Sequence, residues 1–212
     1  MLCKGPLSLH IVVPIYLARR ILYEENELDL DQRVRALRLL VATVTQITNK
    51  LKHIIMTPEE ILKNEKIYFG QDTIGGIDCS IGYIKKFKWS WFATQLNTFV
   101  IIGKTNDKID KQVIEDFSKN CFKYSLKNHK GWPRGLQAGV GSIAILLGNS
   151  IDNEAKLFCE KLSKKHWSAF EIPVLYNIDE KKPIRFIKNP IWGRIYFPFF
   201  TKTIDSITSQ LG

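Results

Sequence analysis

The 212-residue sequence predicts an α+β protein, a mixed β-sheet with flanking helices preceded by an N-terminal helical hairpin. Two observations predict this class. Within residues 30–66, apolar residues recur at steps of three and four, as in amphipathic helices. From residue 71 onward, runs of aromatic and β-branched residues alternate with helical segments. We expect a single domain over 1–212, with a strand and the hairpin in 1–70 and a basic α/β core in 71–212.

The hairpin is predicted from two neighbouring helical segments. The first runs from Leu30 to Ile55, where apolar residues line one face that is a candidate surface for self-association. The second is expected from Pro58 to Lys66. Its start is marked by Thr57 as N-cap, proline at the first helical position, and Glu60 as the partner in a capping box.

The core is predicted to begin after Gly70, Gly75 and Gly76, which interrupt the helical pattern. The expected strands are Ile77–Phe87, Trp91–Gly103, Val140–Leu147, Phe170–Tyr176 and Ile184–Ile187. The expected helices are Asn106–Leu126, Asp152–Lys165 and Thr203–Leu211. This order of elements predicts a mixed sheet with helices packed on at least one face.

The charge of the protein is concentrated in the predicted core. The net charge is +10, of which residues 1–70 contribute +2 and residues 71–212 contribute +8. Three stretches contain no acidic residue, 79–106, 117–151 and 181–204, and they hold 15 of the 31 lysines and arginines. This pattern favours a surface for an anionic partner, and a merely solvated basic face is the alternative.

Two of these stretches also interleave cations with aromatic residues, in 83–92 and 185–200. Cations neutralise phosphates and exposed rings stack on unpaired bases, as a surface for single-stranded nucleic acid requires. The expected phosphate contacts are Lys85, Lys86, Lys88, Arg134, Arg185, Lys188 and Arg194, and the expected stacking residues are Trp89 and Trp132. In the alternative, rings point into the core and lysines into water. The sequence favours a non-enzymatic binding protein for RNA or single-stranded nucleic acid, with an acidic protein as the other candidate partner.

An enzyme is the alternative from a different class. Asp78 and Glu171 lie within apolar strands, where a buried carboxylate needs a cation, a metal or an outward orientation. Carboxylates on adjacent strands beside a lysine would resemble nucleases of the restriction-endonuclease type. The residues two positions later are Ser80 and Pro173, so that resemblance fails at the lysine. The enzyme hypothesis therefore places both acids with Arg134 in a polar site around the loop from Gly131 to Ser142.

Several other classes of site are not expected. The four cysteines, Cys3, Cys79, Cys121 and Cys159, form no CxxC pair, so we predict buried thiols in a cytoplasmic protein. The four histidines are scattered, and no metal or cofactor is expected. No apolar run approaches the roughly 20 residues of a membrane span.

Overall fold

The computed structural model describes residues 56–132, 135, 137–161, 165–187 and 193–211, together with eight helical residues between Asp31 and Thr45. The chain divides into two compact units, Met1–Ile55 and Met56–Gly212. In the first unit, the described side chains include the exposed Val34, Leu37 and Val41. The predicted hairpin, and the strand predicted before it, lie largely outside the described residues.

Helix α1, Pro58–Asn64, begins the described part of the second unit and confirms the second predicted helix. Its start is a reciprocal capping box. The backbone N–H of Glu60 donates to Thr57 Oγ1 at 3.2 Å, and the backbone N–H of Thr57 donates to Glu60 Oε2 at 3.0 Å. Because both donors would otherwise lack an intrahelical partner, the bonds between Thr57 and Glu60 define where the helix begins.

The strands of the second unit form one mixed sheet in the described part of the chain. They are β1 (Tyr68–Ile74), β2 (Ile77–Lys88), β3 (Thr94–Lys104), β4 (Ala138–Gly148), β5 (Lys165–His166), β6 (Ala169–Asn177) and β7 (Lys182–Ile184). The order across the sheet is β1-β2-β3-β4-β6-β5, and β7 also pairs with β6. Strands β3, β4 and β6 are parallel neighbours, while the remaining pairs are antiparallel.

Helices cover both faces of this sheet. They are α1, α2 (Lys111–Asn128), α3 (Asn153–Glu160) and α4 (Phe197–Thr208). One face packs against α1 and α4, which we name the α1/α4 face, and the other packs against α2 and α3, the α2/α3 face. Strands β4 and β6 are buried along their whole length, as expected for parallel strands covered on both sides.

The structure differs from the prediction at several element boundaries. The sequence did not predict strand β1. This edge strand is mostly polar and exposed, so it lacks the apolar pattern by which the other strands were predicted. Helix α2 begins at Lys111 rather than Asn106, since the Asp110 side chain caps it by accepting from the Val113 N–H at 2.9 Å. Helix α3 ends at Glu160 rather than Lys165, and α4 begins at Phe197 rather than Thr203.

Candidate functional site

Several tight turns meet at one end of the sheet, where β2 ends and β3, β4 and β6 begin. We name it the basic-aromatic end, comprising residues 85–95, 130–132, 137–139, 166–170 and 193–196. Phe92, Ala93, Gln137 and Ser168 have φ angles between +50° and +54°, in the left-handed region. Such a conformation costs a non-glycine residue about 1–2 kcal/mol. Strained backbone of this kind is frequent at ligand sites, which makes this end of the sheet a candidate site.

Backbone hydrogen bonds hold these turns in place. The Gln95 N–H donates to the Gln137 carbonyl at 2.8 Å, and the Val140 N–H donates to the Ser168 carbonyl at 3.1 Å. The Ser168 hydroxyl also donates to the Ala138 carbonyl, at 2.8 Å. These bonds join the starts of three neighbouring strands, so the turns form one preorganised surface rather than separate loops.

An open groove lies on the surface at this end, and we name it the aromatic groove. Its volume is about 490 Å³, which falls within the roughly 300–1,000 Å³ of small-molecule sites. Aromatic, glycine and cationic residues share the lining, and they include Phe92, Trp167, Tyr196, Gly135, Gly193 and Arg194.

Glycine at position 193 is required by its surroundings. Its φ angle is +73°, and a Cβ there would lie 2.6 Å from Cε1 of Phe170. The Phe170 ring is held by Tyr196 and Phe200, each with a centroid separation of 5.2 Å. A side chain at this position would therefore strain the backbone and press against a ring that cannot move freely.

Large aromatic side chains are exposed across the basic-aromatic end. The exposed fraction is 51% for Phe87, 81% for Trp89, 82% for Phe92, 61% for Trp132 and 78% for Trp167. Each exposed ring forgoes on the order of 2 kcal/mol of burial free energy. Clusters of exposed apolar side chains occur at interaction sites more often than single exposed apolar residues do, so this end is a candidate site.

The predicted lysines of β2 lie at this same end but on two faces, because side chains alternate along a strand. Lys86 and Lys88 lie on the α1/α4 side, where their Nζ atoms are 5.0 Å from the Phe199 ring and 4.9 Å from the Trp91 ring. Lys85 lies on the other face. A lysine cation that lies over a ring face is attracted to the ring, and this contact orders its side chain.

The remaining predicted phosphate contacts have different surroundings. Arg185 is held by Asp205, with Nε–Oδ1 and Nη2–Oδ2 distances of 3.1 Å each, so its charge is compensated inside the protein. Arg194 is exposed, lines the aromatic groove and forms no ion pair with any described residue. Arg134 and Lys188 lie outside the described residues. Of the predicted cations that are described, Lys85, Lys86, Lys88 and Arg194 belong to this end.

The two predicted stacking residues are both available to a ligand. Trp89 follows β2 directly, and its ring contacts Phe87 edge-on at a centroid separation of 5.4 Å. Trp132 follows Gly131, which lies close to Gln95 near the start of β3. A Cβ added at Gly131 would be 2.9 Å from Nε2 of Gln95. Both tryptophans are therefore placed at the basic-aromatic end. Phe92 and Trp167 are further exposed rings at this end that sequence reasoning missed.

Asp78 and Glu171 do not form one site. They are separated by β3 and β4 in the sheet and face opposite sides of it, Asp78 the α1/α4 side and Glu171 the α2/α3 side. Asp78 is exposed and accepts from the Thr73 hydroxyl at 2.7 Å. The three-residue site of the enzyme hypothesis therefore does not form from these acids. Within the described ranges, no group of three side chains is placed to hold a metal ion.

Glu171 instead belongs to a buried polar cluster that sequence reasoning did not assemble. Its Oε1 accepts from the Ser118 hydroxyl at 2.9 Å, and its Oε2 lies 2.9 Å from Nε2 of His166. The His166 ring stacks on Phe122 at a centroid separation of 4.2 Å. Because Ser118 is on α2 and His166 on β5, this carboxylate joins three elements. The contacts explain how a glutamate is accommodated in an apolar strand.

A second buried polar group lies behind the basic-aromatic end. Asn97 is fully buried on β3, and its Oδ1 accepts from the Tyr83 hydroxyl at 2.7 Å and from Gln95 Nε2 at 3.3 Å. The Tyr83 hydroxyl also lies 3.2 Å from the Lys130 carbonyl. Burial raises the pKa of Tyr83, so its hydroxyl stays protonated and remains a donor at neutral pH. These bonds tie the loop after α2 to the sheet.

The described cysteines are core residues rather than nucleophiles. Cys79, Cys121 and Cys159 are free and buried. Burial raises the pKa of the Cys79 thiol to about 12, and it also raises the pKa of Cys121 and Cys159. All three thiols are therefore protonated and unreactive at neutral pH.

Comparisons with known proteins identify no relative of this chain. No family model, no curated protein and no solved structure matches it. In the described part of the chain, every helix is too short or too polar to cross a membrane.

Proposed function

We propose that the protein is a non-enzymatic binding protein for single-stranded nucleic acid, with RNA as the leading case, and that the strand binds at the basic-aromatic end. The observation that carries this proposal is the co-location of exposed rings with cations. Five aromatic side chains are at least half exposed where Lys85, Lys86, Lys88 and Arg194 also lie.

Each component matches one part of a single strand. Lysine and arginine neutralise phosphates, and the release of counterions contributes to affinity in a salt-dependent way. Exposed rings stack on unpaired bases, each worth about 1–3 kcal/mol. Duplex nucleic acid offers no free base faces to these rings, so the proposal favours single strands.

The charge pattern supports the same partner. The stretch from Cys79 to Asn106 contains four lysines and no acidic residue. Lys85, Lys86 and Lys88 fall at the end of β2, whereas Lys104 falls at the opposite end of the sheet, at the end of β3. The same fold thus provides a matched control region with exposed lysines and without the cluster of exposed rings.

The test is fluorescence anisotropy with labelled single-stranded RNA, single-stranded DNA and duplex DNA across a salt series. The variant replaces Lys85, Lys86 and Lys88 with glutamate. The matched control replaces Lys104, Lys111 and Lys182 with glutamate. These three lysines are exposed at the opposite end of the sheet, so the net charge changes by the same amount. We expect the first variant to lose affinity for the single strand. The slope of log K against log salt concentration should become shallower by about 2, because each lost phosphate contact contributes roughly 0.7.

Three results would refute the proposal. They are the absence of strand binding at low salt, an equal loss of affinity in both triple variants, and tighter binding of duplex than of single strands. Binding of an acidic protein with no binding of nucleic acid would establish the alternative partner instead. The enzyme alternative is left with the segment from Gly131 to Ser142, which was predicted as a loop but belongs to β4 from Ala138 onward. Gly135 and Gly139 of this segment line the aromatic groove.

Self-association through the predicted Leu30–Ile55 helix is a separate proposal. Its described residues Val34, Leu37 and Val41 are spaced by three and four positions and are exposed, which supports an apolar seam. Replacing Leu37 and Val44 with lysine should convert an assembled form to monomer in analytical ultracentrifugation. Unchanged assembly in a folded variant would exclude this seam.

A further inference from the structure

We propose that the aromatic groove captures one unstacked nucleotide of the bound strand, with its base between the exposed rings and its phosphate at Arg194. The inference rests on the proposed function, because it names the part of the ligand that this groove would take. It goes beyond the predicted stacking on Trp89 and Trp132, since neither of those residues lines the groove.

The size and lining of the groove suit a nucleotide. Its volume of about 490 Å³ lies within the range of sites for small molecules of nucleotide size. Its lining is mostly apolar, with glycines that expose backbone and rings that expose flat faces. Planar bases bind by stacking on such faces, and glycine allows the backbone to approach them closely.

One wall of the groove is rigid and the other is open. Tyr196 is packed between Trp91 and Phe170, with centroid separations of 5.2 Å to each ring. Phe92 and Trp167 are more than three-quarters exposed, so little of their ring surface is used inside the protein. A base that enters therefore finds a fixed aromatic wall and two rings with free faces. This arrangement needs little reorganisation on binding, which favours affinity.

Backbone strain at the groove supports a ligand role independently of its shape. Phe92 and Ser168 line the groove in left-handed conformations, with φ angles of +54° and +50°. Phe92 ends the short turn Trp89–Trp91 in this conformation, and its ring is 82% exposed to solvent. Strain retained beside a groove is typical of a clamp for a ligand.

The charge at the groove selects an anionic occupant over a neutral apolar one. Arg194 is the cation among the described lining residues, and no acidic residue is among them. Its guanidinium is planar and suits a phosphate through paired hydrogen bonds. A nucleotide combines a flat ring with a phosphate, and it therefore matches both properties of the lining. An uncharged apolar ligand would leave Arg194 unused.

The experiment compares two tryptophans that are equally exposed but differ in position. Trp167→Ala removes a ring from the groove lining, and Trp89→Ala removes a ring of similar exposure that does not line it. Arg194→Gln removes the cation. Circular dichroism and urea unfolding check that each variant folds, which we expect because all three side chains are exposed.

Two kinds of probe distinguish binding of a single base from binding of the whole strand. One is a labelled single-stranded oligonucleotide followed by anisotropy. The other is a set of nucleoside 5′-monophosphates, with ribose 5-phosphate as the probe that lacks a base, followed by isothermal titration calorimetry. We expect Trp167→Ala to weaken both the oligonucleotide and the monophosphates by about 5- to 150-fold. We expect Trp89→Ala to weaken only the oligonucleotide, and ribose 5-phosphate to bind more weakly than the nucleotides.

The outcomes distinguish this inference from the function on which it rests. Oligonucleotide binding that depends on the β2 lysines and Trp89 but is unchanged in Trp167→Ala would overturn the inference and leave the proposed function standing. Equal binding of ribose 5-phosphate and of the monophosphates would also overturn it, because the base would then contribute nothing. Monophosphate binding that requires Trp167, without any oligonucleotide binding, would refute the proposed function and with it the capture of a strand nucleotide.

Discussion

Replacement of Gly193 with alanine should destabilise the protein through two separable effects. The first is backbone strain, because a φ of +73° costs an alanine about 1–2 kcal/mol relative to glycine. The second is overlap, because the new Cβ would lie 2.6 Å from Cε1 of Phe170. Overpacking of this kind typically costs about 1–3 kcal/mol. The sum predicts a loss of about 2–5 kcal/mol in the free energy of unfolding.

Gly76 provides the matched control for this prediction. Its φ angle is +82°, yet a Cβ added there would meet no atom within 4 Å. Gly76→Ala therefore carries the strain without the overlap. The reduced freedom of the unfolded chain stabilises both alanine variants alike, so it cancels between them. We expect Gly193→Ala to be about 1–3 kcal/mol less stable than Gly76→Ala.

Urea unfolding followed by circular dichroism measures this difference, provided that the free energy of unfolding falls with urea concentration at the same rate in both variants. The overlap is expected to persist because Phe170 is held by Tyr196, Phe197 and Phe200, with centroid separations of 5.2, 5.9 and 5.2 Å. Equal midpoints for Gly193→Ala and Gly76→Ala would refute this reasoning. They would mean that the Phe170 ring moves at no cost and that the groove wall is not rigid.

Three further predictions concern buried groups. Ser118→Ala should lower the free energy of unfolding by about 1–3 kcal/mol, because Glu171 loses a buried hydrogen bond; an unchanged urea midpoint would contradict this. In a Cys3→Ser variant at pH 8, we expect no thiol to react rapidly with a disulfide reagent until the protein is unfolded, and a rapidly reacting thiol in the native state would be evidence against burial. Stability should also fall as pH rises from about 8.5 towards 12, because the unfolded thiol of Cys79 ionises before the folded one. The expected slope is about 1.4 kcal/mol per pH unit per thiol, and a Cys79→Ala variant that declined as steeply would exclude this cause.

Local signals in the sequence predict the elements that depend on local contacts. The capping box of α1 is complete within Thr57 and Glu60, and both residues bond as predicted. The runs that became β4 and β6 are mostly apolar, which predicts buried strands, although the sequence predicted helices on at least one face and the structure shows them on both. Strand β1 has no such signal, because an edge strand packs few of its side chains and remains polar.

Contacts between distant residues explain what the sequence could not predict. Arg185 pairs with Asp205, 20 positions later, so a cation within an acid-free stretch is neutralised from outside it. Glu171 finds Ser118 at a separation of 53 residues. Exposed rings also have no distinct sequence signal, since Trp91 is buried and Trp89 is exposed although only one residue lies between them. The aromatic groove is thus a property of the turns that bring Phe92 and Trp167 together.

The direction of α2 has a consequence for the source of positive potential at the basic-aromatic end. This helix ends at Asn128, beside Lys130 and Tyr83, so it presents carbonyl oxygens and the negative end of its dipole to this region. Backbone amides of α2 therefore cannot hold a phosphate there, unlike the helix amino ends that bind anions in many parallel sheets. Attraction for an anion must exceed this opposing field, and the lysine and arginine side chains of this end supply positive charge for it. Neutralising those side chains would remove that positive charge while leaving the backbone and the direction of the α2 dipole unaltered.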